Sequence, residues 1–187
     1  TLIILFSNLT FAQISLTGSG TYSQDFNTLS STLPSSTVPT GWTFSESGSN
    51  ANATYIAGTG SSNVGDTYSF GSLSNTERAF GGLQSGSLIP IIGASFINNT
   101  GFAITQIPIS YTGEQWRLGV LGRVDRLDFQ YSLNATSLTT GTWVDIDPLD
   151  FTAPTTAGTV GLLDGNALAN RTTKSSTITG LNIPNNS

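Results

Sequence analysis

Alternation limits this chain more than any other feature. Two runs, Ile107-Pro108-Ile109-Ser110-Tyr111 and Leu127-Asp128-Phe129-Gln130-Tyr131-Ser132-Leu133, carry an apolar side chain at every second position. A period of two places those side chains on one face of an extended backbone, so each run reads as a half-buried strand of an antiparallel sheet. No segment shows the i, i+3, i+4 recurrence of a packed helix. Methionine is absent and Lys174 is the only lysine, which removes two good helix formers. The 21 glycines and the abundance of Ser, Thr and Asn suit many short strands joined by tight turns. The expected fold class is all-β.

Chain length and charge narrow the functions. With 187 residues, 37% of them hydrophobic, and no shift of composition along the chain, one domain with its own core is expected. Charged residues make up only 9% and the net charge is -5, with no Lys or Arg cluster to neutralise phosphates, so nucleic acid is excluded as a partner of this segment. Zero cysteines rule out disulfides, thiolate catalysis and Cys-ligated zinc, and zero histidines remove the usual general base. The N-terminal Leu2-Ile3-Ile4-Leu5-Phe6 run, followed by Thr10-Phe11-Ala12, reads as the remainder of a secretory signal peptide over residues 1-13, with the mature domain over 14-187. The other reading is a buried first strand. The run is too short to span a bilayer, so no transmembrane span is expected. Export without cysteines points to a bacterial protein, secreted or held at the cell surface.

Strands are expected at Thr21 to Phe26, Gly41 to Glu46 (Trp42 and Phe44 on one face), Asn52 to Ala57, Asp66 to Gly71 and Glu77 to Phe80. The turn Asn98-Asn99-Thr100-Gly101 predicts a hairpin between Ile91 to Ile97 and Ile104 to Tyr111, with an irregularity at Pro108. A second hairpin pairs Arg126 to Leu133 with Thr142 to Ile146. Residues Ala153 to Arg171 read as a long loop before a last strand, Ser175 to Leu181. The turn Pro184-Asn185-Asn186-Ser187 would introduce a further strand, so the sandwich is expected to lack its last strands.

Between the alternating runs lies Thr112-Gly113-Glu114-Gln115-Trp116-Arg117. Glu114, Trp116 and Arg117 could form a ligand site, an indole stacking on sugar C-H groups while Glu and Arg bond ring hydroxyls. Alternation equally places Glu114, Trp116 and Leu118 on one face, which makes Trp116 core and Glu114 an acceptor for a guanidinium such as Arg78. Asp145, Asp147 and Asp150, around Pro148, are a candidate Ca2+ loop, since calcium takes several closely spaced oxygens; solvated turn aspartates explain the same pattern. Asp125 and Asp128 flank Arg126 as a surface ion pair, and Asp164-Gly165-Asn166 is a turn. Glu46, Glu77 and Glu114 are the carboxylates open to acid-base hydrolysis.

The ordered series Gln24 to Leu29, Thr67 to Gly71, Thr76 to Ala79, Asn98 to Gly101, Tyr111 to Arg117, Gly141-Thr142-Trp143, Leu163 to Asn166 and Asn170-Arg171-Thr172 resembles a family of N-terminal modules in secreted multidomain proteins of Bacteroidetes and some cyanobacteria. These modules stand upstream of lamin-tail, endonuclease/exonuclease/phosphatase or sorting-tail domains. The resemblance implies a jelly-roll-like β-sandwich of the lectin or carbohydrate-binding-module kind, truncated here at its C-terminus, with no assigned ligand and no catalytic residues. The function expected is a secreted, non-catalytic accessory module that binds a glycan or cell-surface polymer or spaces and presents downstream domains. Two alternatives stand beside it: a glycosidase-like sandwich using carboxylates only, and a structural or adhesin domain with no small ligand.

Overall fold

The computed structural model describes residues 12-18 and 20-187. The Leu2 to Phe6 run, and with it most of the expected signal remnant, lies outside the described residues. Fifteen strands follow in chain order: β1 Ile14–Leu16, β2 Trp42–Ser47, β3 Ile56–Gly58, β4 Asp66–Phe70, β5 Ala79–Leu83, β6 Ile89–Ala94, β7 Phe96–Asn98, β8 Ile104–Glu114, β9 Arg117–Leu118, β10 Arg126–Leu127, β11 Gln130–Tyr131, β12 Val144–Asp145, β13 Phe151–Thr152, β14 Gly161–Leu162 and β15 Arg171–Ile183. Two 3-10 turns, Asp147–Leu149 and Leu168–Asn170, complete the set, so the described residues are all-β. No helix among them is long and apolar enough to cross a membrane.

The period-two pattern of β2 builds the first core. Trp42 and Phe44 leave the strand on one face and pack on the buried Leu29, Tyr55 and Phe80, with Phe26, Val38 and Ile92 around them. The rings meet edge to face, Phe26 with Trp42 at 4.7 Å and Phe44 with Phe80 at 6.1 Å, a geometry worth about 0.5–1.5 kcal/mol per pair beyond burial. The Trp42 indole donates to the Tyr22 hydroxyl at 2.8 Å, which satisfies its one polar atom. Residues 21 to 26, expected as a strand, form no ladder, and Phe26 ends the segment with a left-handed backbone, φ 62°.

β2 pairs with β6, while β3, β4 and β5 form a separate three-stranded sheet. A carboxylate joins the two sheets: Glu46 on β2 accepts the Thr67 amide and hydroxyl of β4, each at 2.7 Å. Arg78, 3% exposed, also fastens β4. Its guanidinium donates to the Ser69 hydroxyl at 2.8 Å, to the Ser69 carbonyl and to the Gly58 carbonyl of β3.

The longest unit is the β8–β15 ribbon, antiparallel from Glu114 opposite Arg171 to Gln106 opposite Thr179. The ladder runs through Pro108, opposite Thr177, and its irregularity falls instead between Thr179 and Ile183. Among the described residues β8 pairs with β15 alone, so β8 has an open edge, the setting in which a strand tolerates proline. β15 is longer than the expected Ser175 to Leu181, and the expected loop from Ala153 to Arg171 holds β14 and a 3-10 turn.

The expected hairpin across Asn98 to Gly101 does not form. β6 pairs with β2, β7 with β1, and β8 with β15. The turn itself is present, but the buried Asn98 binds it to distant chain: its side-chain amide donates to the carbonyls of Phe102 at 2.7 Å and Ile183 at 2.9 Å, and its Oδ1 accepts from Thr100. The C-terminal turn docks on the same segment, Asn98 donating its amide to Ser187 at 2.9 Å and accepting from Asn186 at 2.6 Å. The second hairpin is found in reduced form as β11 with β12. Two pairings, β1 with β7 and β3 with β4, are parallel and the rest antiparallel.

Candidate functional site

Glu114, Trp116 and Arg117 are brought together where β8 ends and β9 begins, and all three are committed to the fold. Trp116 is 4% exposed and stacks on Phe70 with centroids 6.3 Å apart and planes 5° from parallel. Gly60 and Gly165 close the remaining space. Gly60 has φ +85° and its absent Cβ would stand 1.7 Å from the Trp116 carbonyl; at Gly165 a Cβ would stand 2.4 Å from the indole. No open aromatic face is left for a sugar. An edge of Trp116 does reach a cleft of about 360 Å3 walled by Leu73, Leu162 and Leu163.

Glu114 accepts from the indole Nε1 at 2.9 Å. The expected partner, Arg78, is held instead by Ser69 and Gly58, because Glu114 finds its donor two residues along its own chain. Burial raises the Glu114 carboxyl above its ordinary range, and the indole bond works against that rise. Arg117 donates to the carbonyls of Gly60 and Ser61 at 3.0 and 2.9 Å, so it fastens a loop. Gln115, between them, is buried and bonds the Thr155 backbone in both directions at 2.8 Å.

The acidic loop is different. β11 and β12 pair, with Gln130 opposite Asp145, which sets Asp145 at the end of a short ladder. Pro148 then favours a 3-10 turn, in which Leu149 donates to Ile146 at 2.8 Å and Asp150 to Asp147 at 3.0 Å. Leu149, fully buried, anchors the turn, and its carbonyl accepts the Tyr111 hydroxyl from β8. Burial, and after it the charge of Asp150, push the Tyr111 phenol up to about 12, so the hydroxyl stays a donor. The result is that one carboxylate oxygen from each of Asp145, Asp147 and Asp150 lies within 4.8 Å of the other two. Asp147, close enough to share a hydrogen bond, raises the pKa of Asp145.

Asp150 is 4% exposed. Its Oδ1 accepts the Phe129 amide at 2.8 Å; its Oδ2 is buried without a hydrogen bond, the nearest cation being Arg126 at 3.3 Å. Arg126 is drawn more closely to Asp128, at 2.5 Å, so the expected surface pair forms with Asp128, while Asp125 pairs with Arg123.

Beside this loop runs a groove of about 520 Å3 between it and β15, lined by Tyr131, Asp145, Asp147, Ser176, Thr177 and Thr179 among others. Composition hid the β15 hydroxyls as ordinary turn and strand residues. A Thr-x-Thr pair at 177 and 179, facing one side of a strand, was the signal available.

The carboxylates open to hydrolysis are each engaged. Glu46 holds Thr67 and also accepts the Asn52 amide at 3.0 Å, Glu77 accepts the Asn166 side chain at 2.6 Å, and Glu114 accepts the indole. Asp66, which the sequence did not single out, lies against Glu46; burial first, then the Glu46 carboxyl and its charge, raise it from 3.8 to about 6. Asp164 and Asn166 form the expected turn, the Asn166 amide bonding Asp164 at 3.1 Å. In comparisons with known proteins, the chain matches no family model, no curated protein and no solved structure.

Proposed function

We propose that this chain is a secreted or cell-surface module that binds, without catalysis, a glycan or cell-surface polymer in the groove between the acidic loop and β15. The observation that carries this reading is the lining of that groove, which includes Asp145 and Asp147, the exposed Thr177 and Thr179 on one face of β15, and Tyr131. A polyol needs those groups, since its hydroxyls pair with oxygens of both kinds and its C-H faces rest on an aromatic ring. The commitment of Glu46, Glu77 and Glu114 to the fold supports binding over hydrolysis. Domains joined to such a module would be kept near the polymer.

Affinity electrophoresis through gels containing soluble polysaccharides tests the proposal. At least one polysaccharide is expected to retard the protein, and Tyr131→Ala is expected to abolish that retardation while the melting temperature changes little. Retardation unaffected by Tyr131→Ala, or none by any polymer, would reject the groove as the binding face.

A further inference from the structure

We propose that Asp145, Asp147 and Asp150 form a calcium site, one that stands whether or not the groove takes a glycan. An acidic cluster alone would not carry this, because exposed aspartates gather on many surfaces. The second observation is Asp150 itself. A carboxylate that is 4% exposed normally has every oxygen bonded, yet its Oδ2 is buried with no hydrogen-bond partner. Arg126 at 3.3 Å supplies charge without hydrogen-bond geometry, and its closer contact is Asp128 at 2.5 Å. Arg126 is thus shared between Asp128 and Asp150, while Asp145 and Asp147 gather beside Asp150 with no ion pair of their own among the described residues. That excess of negative charge beside a buried, unbonded oxygen is what a bound cation relieves.

Distance agrees with calcium. Two oxygens on opposite sides of one Ca2+ stand up to about 5.2 Å apart, given bond lengths of 2.3–2.6 Å. All three oxygens fall within 4.8 Å of one another, so an ion at their centre stands at most about 2.8 Å from each, close to those bond lengths. The donors are all hard oxygens, which suit Ca2+ over a softer transition metal. The turn is fixed before any ion arrives, by Pro148, by the buried Leu149 and by the Tyr111 bond to the Leu149 carbonyl. Three carboxylates leave coordination positions facing the groove for water or for hydroxyls.

The test uses the metals alone, with no polysaccharide. Isothermal titration with CaCl2 is expected to give a dissociation constant of about 10⁻⁴ to 10⁻³ M, the range of extracellular sites. Terbium emission excited through the nearby tyrosine is expected to appear and to be displaced by Ca2+. The double variant Asp145→Asn/Asp147→Asn changes only exposed groups, so it should keep its melting temperature in EDTA while losing at least tenfold in Ca2+ affinity; Asp25→Asn should match the parent. No heat and no melting shift up to about 10 mM Ca2+, unchanged affinity in the double variant, or an equal response to Mg2+ would overturn the assignment. Calcium binding in a protein that no polysaccharide retards would keep this site and remove the groove's ligand, so the two failures are told apart.

Discussion

Truncating Trp116 removes a ring that touches Phe70, Glu114 and Gly165 at once. Trp116→Ala is therefore expected to cost about 3–5 kcal/mol of unfolding free energy, read from urea denaturation, and Gly165→Ala to destabilise as well because its Cβ has no room. A Trp116→Ala protein with the parental midpoint would return the indole to the role of a ligand platform. Alternation made the burial of Trp116 legible in the sequence. It did not reveal the partner of Glu114, because a period of two says which face a side chain takes and nothing of which donor on that face is nearest. The Glu46 and Asp66 pair gives a pH prediction. Asp66 has a folded pKa near 6, above its ordinary 3.8, so folding favours its protonated form; the stability it adds is complete below about pH 4 and is lost as the pH rises through about 6. Burial alone would raise Glu46, but the Thr67 hydroxyl and the amides of Asn52 and Thr67 hold it below 4.5, and its contribution is lost in the opposite direction, as the pH falls. Between about pH 4 and pH 7 the parent should lose about 1–2 kcal/mol relative to Asp66→Asn, a figure reduced for the solvent around Glu46. Parallel stability curves for the two proteins would refute it.

At the scale of the element, the β8–β15 ribbon presents two edges without ladder partners among the described residues. Each edge carries a residue that discourages further pairing: Pro108 on β8 and Lys174, opposite Tyr111, on β15. Pro108→Val combined with Lys174→Val should raise the scattering mass above that of the parent at matched concentration. A parental scattering profile would mean that other features guard these edges. Strands with a strong period, β2, β4 and β8, were legible in place and type. Their pairing was not, since the expectation that consecutive strands meet was overruled by the side chain of Asn98, whose amide bonds the chain at Phe102 and Ile183. Arg78 illustrates the same limit. The sequence offered Arg78 as a donor for Glu114 and did not mark Ser69 and Gly58 as its acceptors; it bonds three backbone or hydroxyl oxygens there, and Arg78→Lys should cost about 1.5–3 kcal/mol because an ammonium lacks the fork that reaches Ser69 and Gly58 together. An unchanged urea midpoint would show that charge alone is needed.

For the whole molecule, the absence of helix-forming pattern was the most reliable signal, and an all-β spectrum in far-ultraviolet circular dichroism is the expected readout. The acidic loop was legible because its three aspartates lie within six residues around Pro148. The groove beside it was not, since four of its nine lining residues come from β15, far along the chain. One pairing has a further bearing on how the molecule sits among its neighbours. β1 lies parallel to β7, and the C-terminal Ser187 bonds Asn98 at the end of that same strand. Ile14 and Ser187 thus lie on the two edges of β7, two residues apart along it, a separation of roughly 10–15 Å. Dyes placed on Gln13→Cys and Ser187→Cys, with no native cysteine to compete, should show nearly complete energy transfer. A polypeptide attached at both places would come in and go out on one side, and the module would hang from it like a pendant, offering its groove without adding to the reach of a tether.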